Sequence, residues 1–482
     1  MLTQSLLDLV EKFLPILILV SVIAFVLHRI PRVDLGHSAA FLRRRTLNWL
    51  PLGLTYAFLY MGRYNLTVAK VALGSQITNS DFGTIFGIGT FTYGLSFIIN
   101  GPLADKWGGR TTILISAVGS AFANLLMGLL IYSGRTDIVP ALTGLYAANM
   151  YFQSFGAVSI VKVNSAWFHL RERGSFGGIF GILIALGIYF AFDLGFLIVK
   201  NFSVPTVFFI PTALLLIFAT IDFFLVQDSP SKAGLTDLDT GDASSGDTGP
   251  ALSAWTVAKR MARDPVIVTI AVIEFCSGFL RNAVMQWYPI FAKQTGQVSQ
   301  FVAANWGLAN CIAGILGGVF AGVLSDKLFQ SRRGPVSSIL YGMLLFGSLL
   351  AFGLLTSPLL GWAVSFMMLA VIGVHGMLSG TASMDFAGKR NVGVAVGLID
   401  GMVYLGTGLQ AVVYGAILPS GDAAKDAANW SRWPLAMIPL AALGLWLATR
   451  LWNARPVPKR SQMPHFEATD SARTQQQAPT NA

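Results

Sequence analysis

The string G-P-L-A-D-K-W-G-G-R at residues 101–110 returns in altered form as G-V-L-S-D-K-L-F-Q-S-R-R at residues 322–333. Its first copy closes an apolar block at 84–104, and its second closes another at 301–324. Asp105 and Asp326 lie 221 residues apart, and two arginines inside apolar blocks, Arg63 and Arg281, lie 218 apart. Two nearly equal spacings, one between loop motifs and one between cations inside apolar blocks, mark an internal duplication. Working outward, the first half holds apolar blocks near 47–69, 84–104, 111–132, 140–168, 174–198 and 204–227. The second holds blocks near 266–291, 301–324, 337–357, 359–384, 391–418 and 433–453. Each is close to the ~20 apolar residues that carry a helix across a bilayer. The expected fold is therefore all-α and membrane-embedded, with two parallel six-helix halves, an arrangement common among secondary transporters.

Composition agrees. Of 482 residues, 54% are apolar and 12% charged, about half the charged fraction of a soluble domain. Mean hydropathy is +0.63. The formal charge of +10 would suggest nucleic acid in a soluble protein, but here the basic residues sit in short clusters between apolar blocks, which argues against that partner. With alternating topology, 23 Lys/Arg fall on one side and six on the other (Lys70, Arg135, Lys200, Lys293, Lys425 and Arg432). The positive-inside rule makes the richer side cytoplasmic. A further apolar block at 13–27 lacks a basic leader and is followed by Arg29, Arg32, Arg43, Arg44 and Arg45. It is expected to be an extra transmembrane helix with its amino terminus outside. The expected divisions are 1–45 for that helix and its basic segment, 46–227 for the first half, 228–265 for a cytoplasmic linker, 266–454 for the second half, and 455–482 for a disordered tail. Within the linker, 235–250 is polar and rich in Gly and Ser, and reads as flexible. Cys276 and Cys311 both lie in apolar blocks, so the sequence offers no disulfide framework or metal cluster. No nucleotide-binding loop, metal-ligand spacing or nucleophile constellation appears. Neither an enzyme nor a cofactor is expected.

A cation within a span costs at least ~2.5–3.5 kcal/mol on insertion, so Arg63, Lys162 and Arg281 need a reason. Arg63 shares a helix face with Tyr56 and Tyr60. Arg281 comes from the matching helix of the other half, and two guanidinium forks approaching from opposite halves suit a doubly charged phosphate. The competing reading has both arginines neutralised by carboxylates. Glu274 lies two turns before Arg281 on one face, Asp400 shares a face with Tyr404, and Asp193 is a third buried acid. These acids read either as proton carriers or as counter-ions of the empty site. His375 reads as a packing residue or a ligand. At the loop motifs, Asp105 is expected to accept hydrogen bonds at a neighbouring helix N-terminus. With Lys106, Arg110, Asp326 and Arg333, it would form a latch that breaks as the halves rock.

The duplicated G-x-L-A-D-K-x-G-G-R string resembles the loop signature of the major facilitator superfamily. Seven further stretches resemble its organophosphate:phosphate antiporter family: T-Y-A-F-L-Y-M-G-R-Y-N (55–65), T-Y-G-L-S (92–96), R-E-R-G (171–174), D-S-P-S-K-A-G-L (228–235), F-L-R-N-A-V-M-Q-W-Y-P (279–289), S-D-K-L-F-Q-S-R-R-G (325–334) and V-Y-L-G-T-G (403–408). The resemblance implies that Arg63 and Arg281 bind phosphate while Tyr56, Tyr60, Tyr93 and Tyr404 line the site. Two departures stand out: Phe97 where the glycerol-3-phosphate member has a lysine, and an apolar residue near Ile184 where it has a histidine. Lys162 matches a basic position of that member and either restores charge to the site or sits at the cytoplasmic end against a carboxylate or lipid phosphate. The implied activity is exchange of an organic phosphate for inorganic phosphate across the inner membrane, by a monomer. The alternatives are proton-coupled symport of another organic anion, and a non-transporting sensor on the same scaffold.

Overall fold

The computed structural model describes residues 35–169, 172–240, 254–329 and 332–453, with a few positions between 17 and 28. Side chains at 173–180, at 326–327 and over most of 380–396 are outside that description. The first half comprises α1 (Ala39–Leu73), α2 (Asn79–Trp107), α3 (Gly109–Tyr132), α4 (Val139–Trp167), α5 (Arg173–Tyr189), α6 (Gly195–Asn201) and α7 (Thr206–Leu225). A π-helical stretch, Phe190–Leu194, joins α5 to α6. After a short connecting helix α8 (Ala254–Met261), the second half comprises α9 (Pro265–Met285), α10 (Trp287–Gln294), α11 (Phe301–Ala304), α12 (Trp306–Val323), α13 (Arg333–Gly353), α14 (Leu360–His375), α15 (Ser383–Ile417) and α16 (Arg432–Arg450).

These residues make helices because a bilayer offers the backbone no hydrogen-bond partner, so each span must satisfy its own. The ends are sequence-coded. Thr78 and Asp81 form a reciprocal capping box at α2. Asp264 caps α9 ahead of Pro265. Among the described residues, nine helical segments are long and apolar enough to cross a membrane. The three other long helices, α1, α4 and α15, carry Arg63, Gln153 and Tyr404 of the central cluster described below. Large apolar side chains such as Leu95, Ile99, Phe122 and Phe224 are exposed on the outer surface of the bundle, where lipid tails would meet them.

The halves meet along α2 and α15, and along α5 and α12. Side chains are excluded where backbones touch: a Cβ on Gly83 would lie 2.7 Å from the Cα of Gly415. At the Asn79 end, the Asn79 and Gln294 amides exchange hydrogen bonds at 3.1 Å each way, Asn79 also donates to the Pro419 carbonyl at 2.7 Å, and Thr67 donates to Gln286.

Two expectations need correction. The interval between the apolar blocks at 359–384 and 391–418, which alternating topology makes a cytoplasmic loop, is helical, since α15 begins at Ser383. The linker is folded over its described first part: Ser231 N–H donates to Asp237 Oδ1 at 2.8 Å, while Leu235 and Leu238 pack on the main core. Two leucines with a core to reach outweigh a polar composition. The rest of the linker (241–253), the tail from 455 and most of the extra helix at 13–27 lie outside the described residues. Val22 and Ile23 are described, and they pack against Ile182 and Ala185 of α5 and Leu308, Cys311 and Ile315 of α12.

Candidate substrate-binding site

Arg63 sits in the middle of α1 and is 1% exposed. Its Nε donates to Gln153 Oε1 at 2.9 Å, Nη1 to the Tyr404 hydroxyl at 2.8 Å, and Nη2 to the Tyr93 hydroxyl at 2.9 Å. Its Cζ lies 4.7 Å from the Tyr60 ring centroid and 4.4 Å from that of Tyr93, within range of cation–π attraction. None of the three acceptors is a carboxylate. Tyr56 completes the group, with its ring edge-on to Tyr60 at 5.2 Å. The helix periodicity that set Tyr56, Tyr60 and Arg63 on one face is borne out.

Arg281, on α9, is 6% exposed and lies 5.8 Å from the Tyr404 ring centroid. Tyr404 on α15 therefore takes a hydrogen bond from one half's arginine and presents its ring to the other's. Arg281 Nε and Nη2 are buried and find no hydrogen-bond partner among the described residues. A buried guanidinium with idle donors is costly unless something else satisfies them. Phe97 is fully buried, with its ring 4.8 Å from Tyr93 and 5.9 Å from Tyr404, so it adds an apolar surface and no charge to the cluster. Ile184 packs against the core and contributes no charge.

The acids divide. Glu274 is fully buried and its Oε2 pairs with His375 Nδ1 at 3.1 Å, not with Arg281 as the shared helix face suggested. Its Oε1 has no hydrogen-bond partner among the described residues. The His375 side chain keeps 22% of its surface open. Asp400 accepts a hydrogen bond from Ser379. Asp193 is not in the cluster. Its two oxygens accept from the backbone N–H groups of Gly307 (2.6 Å) and Leu308 (2.9 Å), so it caps α12 across the interface between halves. The π-helical stretch that carries it could not be read from an apolar run.

Lys162 is also elsewhere. Its Nζ pairs with Asp105 Oδ1 at 2.7 Å, so the carboxylate alternative holds for this lysine. Asp105 is therefore engaged by α4 and does not cap a neighbouring helix. That task falls to Asp228, whose Oδ1 accepts from the Arg110 N–H at 2.8 Å while Oδ2 pairs with Lys232 at 3.1 Å. Arg110 itself donates to the Phe223 carbonyl. A cavity of about 590 Å³ opens at this end, lined by Asp105, Lys106, Lys162, Asp228, Lys232 and Asp237 among others. Asp326 lies in the π-helical stretch Leu324–Leu328, its side chain outside the description, and Arg333 opens α13.

Sequence reasoning missed an amide ladder behind Arg63. Gln153 donates to Asn149 at 3.2 Å, and Asn149 accepts from Asn124 at 3.1 Å, which in turn accepts from Asn65 at 2.7 Å. Asn149 and Gln153 stand four residues apart on one face of α4. Two amides at that spacing in an apolar helix were the available signal.

A two-halved helical bundle around a central arginine–tyrosine cluster is the build of a solute carrier, and the comparisons agree. The profile of the Major Facilitator Superfamily matches residues 52–411. The chain belongs to that superfamily and is embedded in the membrane through several spans. Among similar curated proteins is the membrane sensor protein UhpC of Salmonella typhimurium, 24% identical over 76% of this chain and 84% of its own. Another is the glycerol-3-phosphate transporter of Bacillus subtilis, 25% identical over 87% and 95% respectively. The phosphoglycerate transporter protein of S. typhimurium is 26% identical over 81% and 86%. These relatives match the organophosphate antiporter family at low identity. The fold is shared with a bacterial homologue of the human lysosomal transporter Spinster, solved inward-facing and unoccupied. Its TM-score is 0.64 at 13% identity, covering 86% of this chain and 98% of that one.

Proposed function

We propose that this protein carries an organic phosphate across the inner membrane in exchange for inorganic phosphate, by alternating access. The observation that carries the reading is the pairing of Arg63 and Arg281 about Tyr404. Two guanidinium groups from matching helices of the two halves face one tyrosine, and neither forms an ion pair with a carboxylate among the described residues. A phosphate dianion seated between them would take bidentate bonds from each fork. Tyr56, Tyr60 and Tyr93 would close around it. An anion between the forks would satisfy the Arg281 donors that find no partner among the described residues. Reorientation is therefore easier loaded than empty, which makes exchange the favoured cycle.

In this reading the Asp105 end faces the cytoplasm, and the Lys162–Asp105 pair, which joins α2 to α4 within the first half, moves with that half as the halves rock. The working unit is a monomer, since both arginines come from one chain. Proteoliposomes loaded with phosphate test the proposal. Uptake of labelled glycerol-3-phosphate should require internal phosphate, and uptake driven by a pH gradient alone would refute exchange. Similarity to a protein described as a membrane sensor supports a second reading, in which the same anion binds without being carried. Ligand binding by purified protein with no counterflow in proteoliposomes would favour it.

A further inference from the structure

We propose that the short helix α8, which connects the halves, is a docking surface for anionic phospholipid, and that the headgroup layer through it holds the adjoining ends of α9 and α15. The inference goes beyond the anion site and does not depend on it.

The two faces of α8 (A-W-T-V-A-K-R-M) differ. Val257 and Met261, four residues apart, are buried against Ile267 of α9 and Val394 of α15, with Leu398 beside them. The opposite face presents Trp255, 67% exposed, and Lys259, whose ammonium lies 5.8 Å from the Trp255 ring centroid. Arg260 flanks them, Arg263 follows in the turn before α9, and both are exposed. Three cations thus surround one indole. None of the three pairs with a carboxylate among the described residues. The adjacent acid, Asp264, directs Oδ1 to the N–H groups of Val266 and Ile267 at the start of α9.

Depth decides the partner. The apolar segment Pro265–Gln294, long enough to cross a membrane, begins four residues after α8 ends, and Val268, one turn inside it, is 41% exposed on the outer surface. Lipid therefore begins within a turn of α8. With Arg281 at mid-membrane, where carriers of this build hold their sites, Pro265 lies roughly 24 Å along the helix axis from the centre. Half a bilayer, headgroups included, is about 20–22 Å. That puts α8 in the headgroup layer. An exposed tryptophan is favoured at that level, and Trp beside Lys and Arg is the composition of an interfacial helix. Each Lys or Arg close to an anionic leaflet strengthens attachment roughly fivefold.

The attachment reaches the seam between the halves. Val394 and Leu398 lie on the helix that carries Tyr404, and Gly397 between them is where α15 meets α2: a Cβ there would fall 2.9 Å from the Phe97 carbonyl oxygen. Lipid that holds α8 also steadies this end of α15.

Melting of the purified full chain in detergent, with phosphatidylglycerol or phosphatidylcholine added, tests this. Phosphatidylglycerol should raise the melting temperature more than phosphatidylcholine at equal concentration, and the excess should shrink in about 1 M salt. In the triple variant Lys259→Gln, Arg260→Gln, Arg263→Gln, the apparent affinity for phosphatidylglycerol should fall about tenfold or more, with melting in phosphatidylcholine unchanged. An equal response of wild-type protein to the two lipids overturns the proposal. So does an undiminished phosphatidylglycerol excess in the triple variant. Soluble glycerol-3-phosphate is run in parallel, since it carries the same phosphate chemistry without the lipid. A response to it that disappears with the α8 cations makes the face a soluble-anion site and overturns lipid as its partner. Self-association of wild-type protein that the triple variant loses, without preference for phosphatidylglycerol, assigns the face to a second copy and overturns it too. Should the triple variant fail to fold, the wild-type comparison and Lys259→Gln alone, expected to lose roughly fivefold, decide the matter. The lipid arms measure no transport, so their failure leaves the exchange proposal standing.

Discussion

Replacing each arginine by lysine separates their roles, because the structure commits one and leaves the other idle. In Arg63→Lys the charge stays, but the ammonium has no Nε and no planar fork, so Gln153 loses its partner and the stacking over Tyr93 is lost. A hydrogen bond to a charged group is worth ~1.5–3 kcal/mol, and 1.4 kcal/mol is tenfold in affinity, so phosphate binding should weaken roughly 10- to 150-fold. The same change should lower thermal stability in detergent, since Arg63 bonds three elements of the empty protein. Arg281→Lys should weaken phosphate binding over a similar range yet leave the empty protein's melting nearly unchanged, because Nε and Nη2 of Arg281 bond nothing among the described residues. The double variant should lose less than the sum, since both groups act on one ligand. Calorimetry for affinity and a melting curve without ligand supply both readouts. If Arg281→Lys destabilised the empty protein as much as Arg63→Lys while affinity for phosphate held, Arg281 would be a structural brace and the paired clamp would fail.

Three further outcomes follow from the same geometry. Asp105→Asn should change phosphate affinity and exchange turnover no more than about twofold, because the Lys162 pair lies within the first half and, partly solvated, is worth only ~0–1 kcal/mol; lost exchange in that variant would show that the pair does more than join α2 to α4. Gly278→Ala should destabilise the second half by ~1–3 kcal/mol or more, since the added Cβ would fall 1.8 Å from the Val403 carbonyl oxygen, and an unchanged melting curve would contradict the close approach of α9 and α15. A tag before Met1 should be accessible on intact cells and one after Ala482 should not; both on one side would remove the extra amino-terminal span.

The apolar blocks, the duplicated loop string and the matched positions of Arg63 and Arg281 were legible because each follows from local pattern. A bilayer demands ~20 apolar residues per span, and a duplication preserves spacing whatever the packing. Helical periodicity likewise put Tyr56, Tyr60 and Arg63 on one face before any contact was known. What periodicity could not decide was which helices face each other. Glu274 and Arg281 share a face, yet α14 brings His375 to that carboxylate first. Lys162 and Asp105 lie on different helices and meet only because α2 and α4 pack side by side. Asp193 looked like a candidate for the site, and a π-helical stretch sends it to the N-terminus of a helix in the other half. The amide ladder from Gln153 to Asn65 crosses three helices, so no stretch of sequence contains it. A pairing between charges on separate spans depends on their rotation and depth, and those are set by tertiary packing.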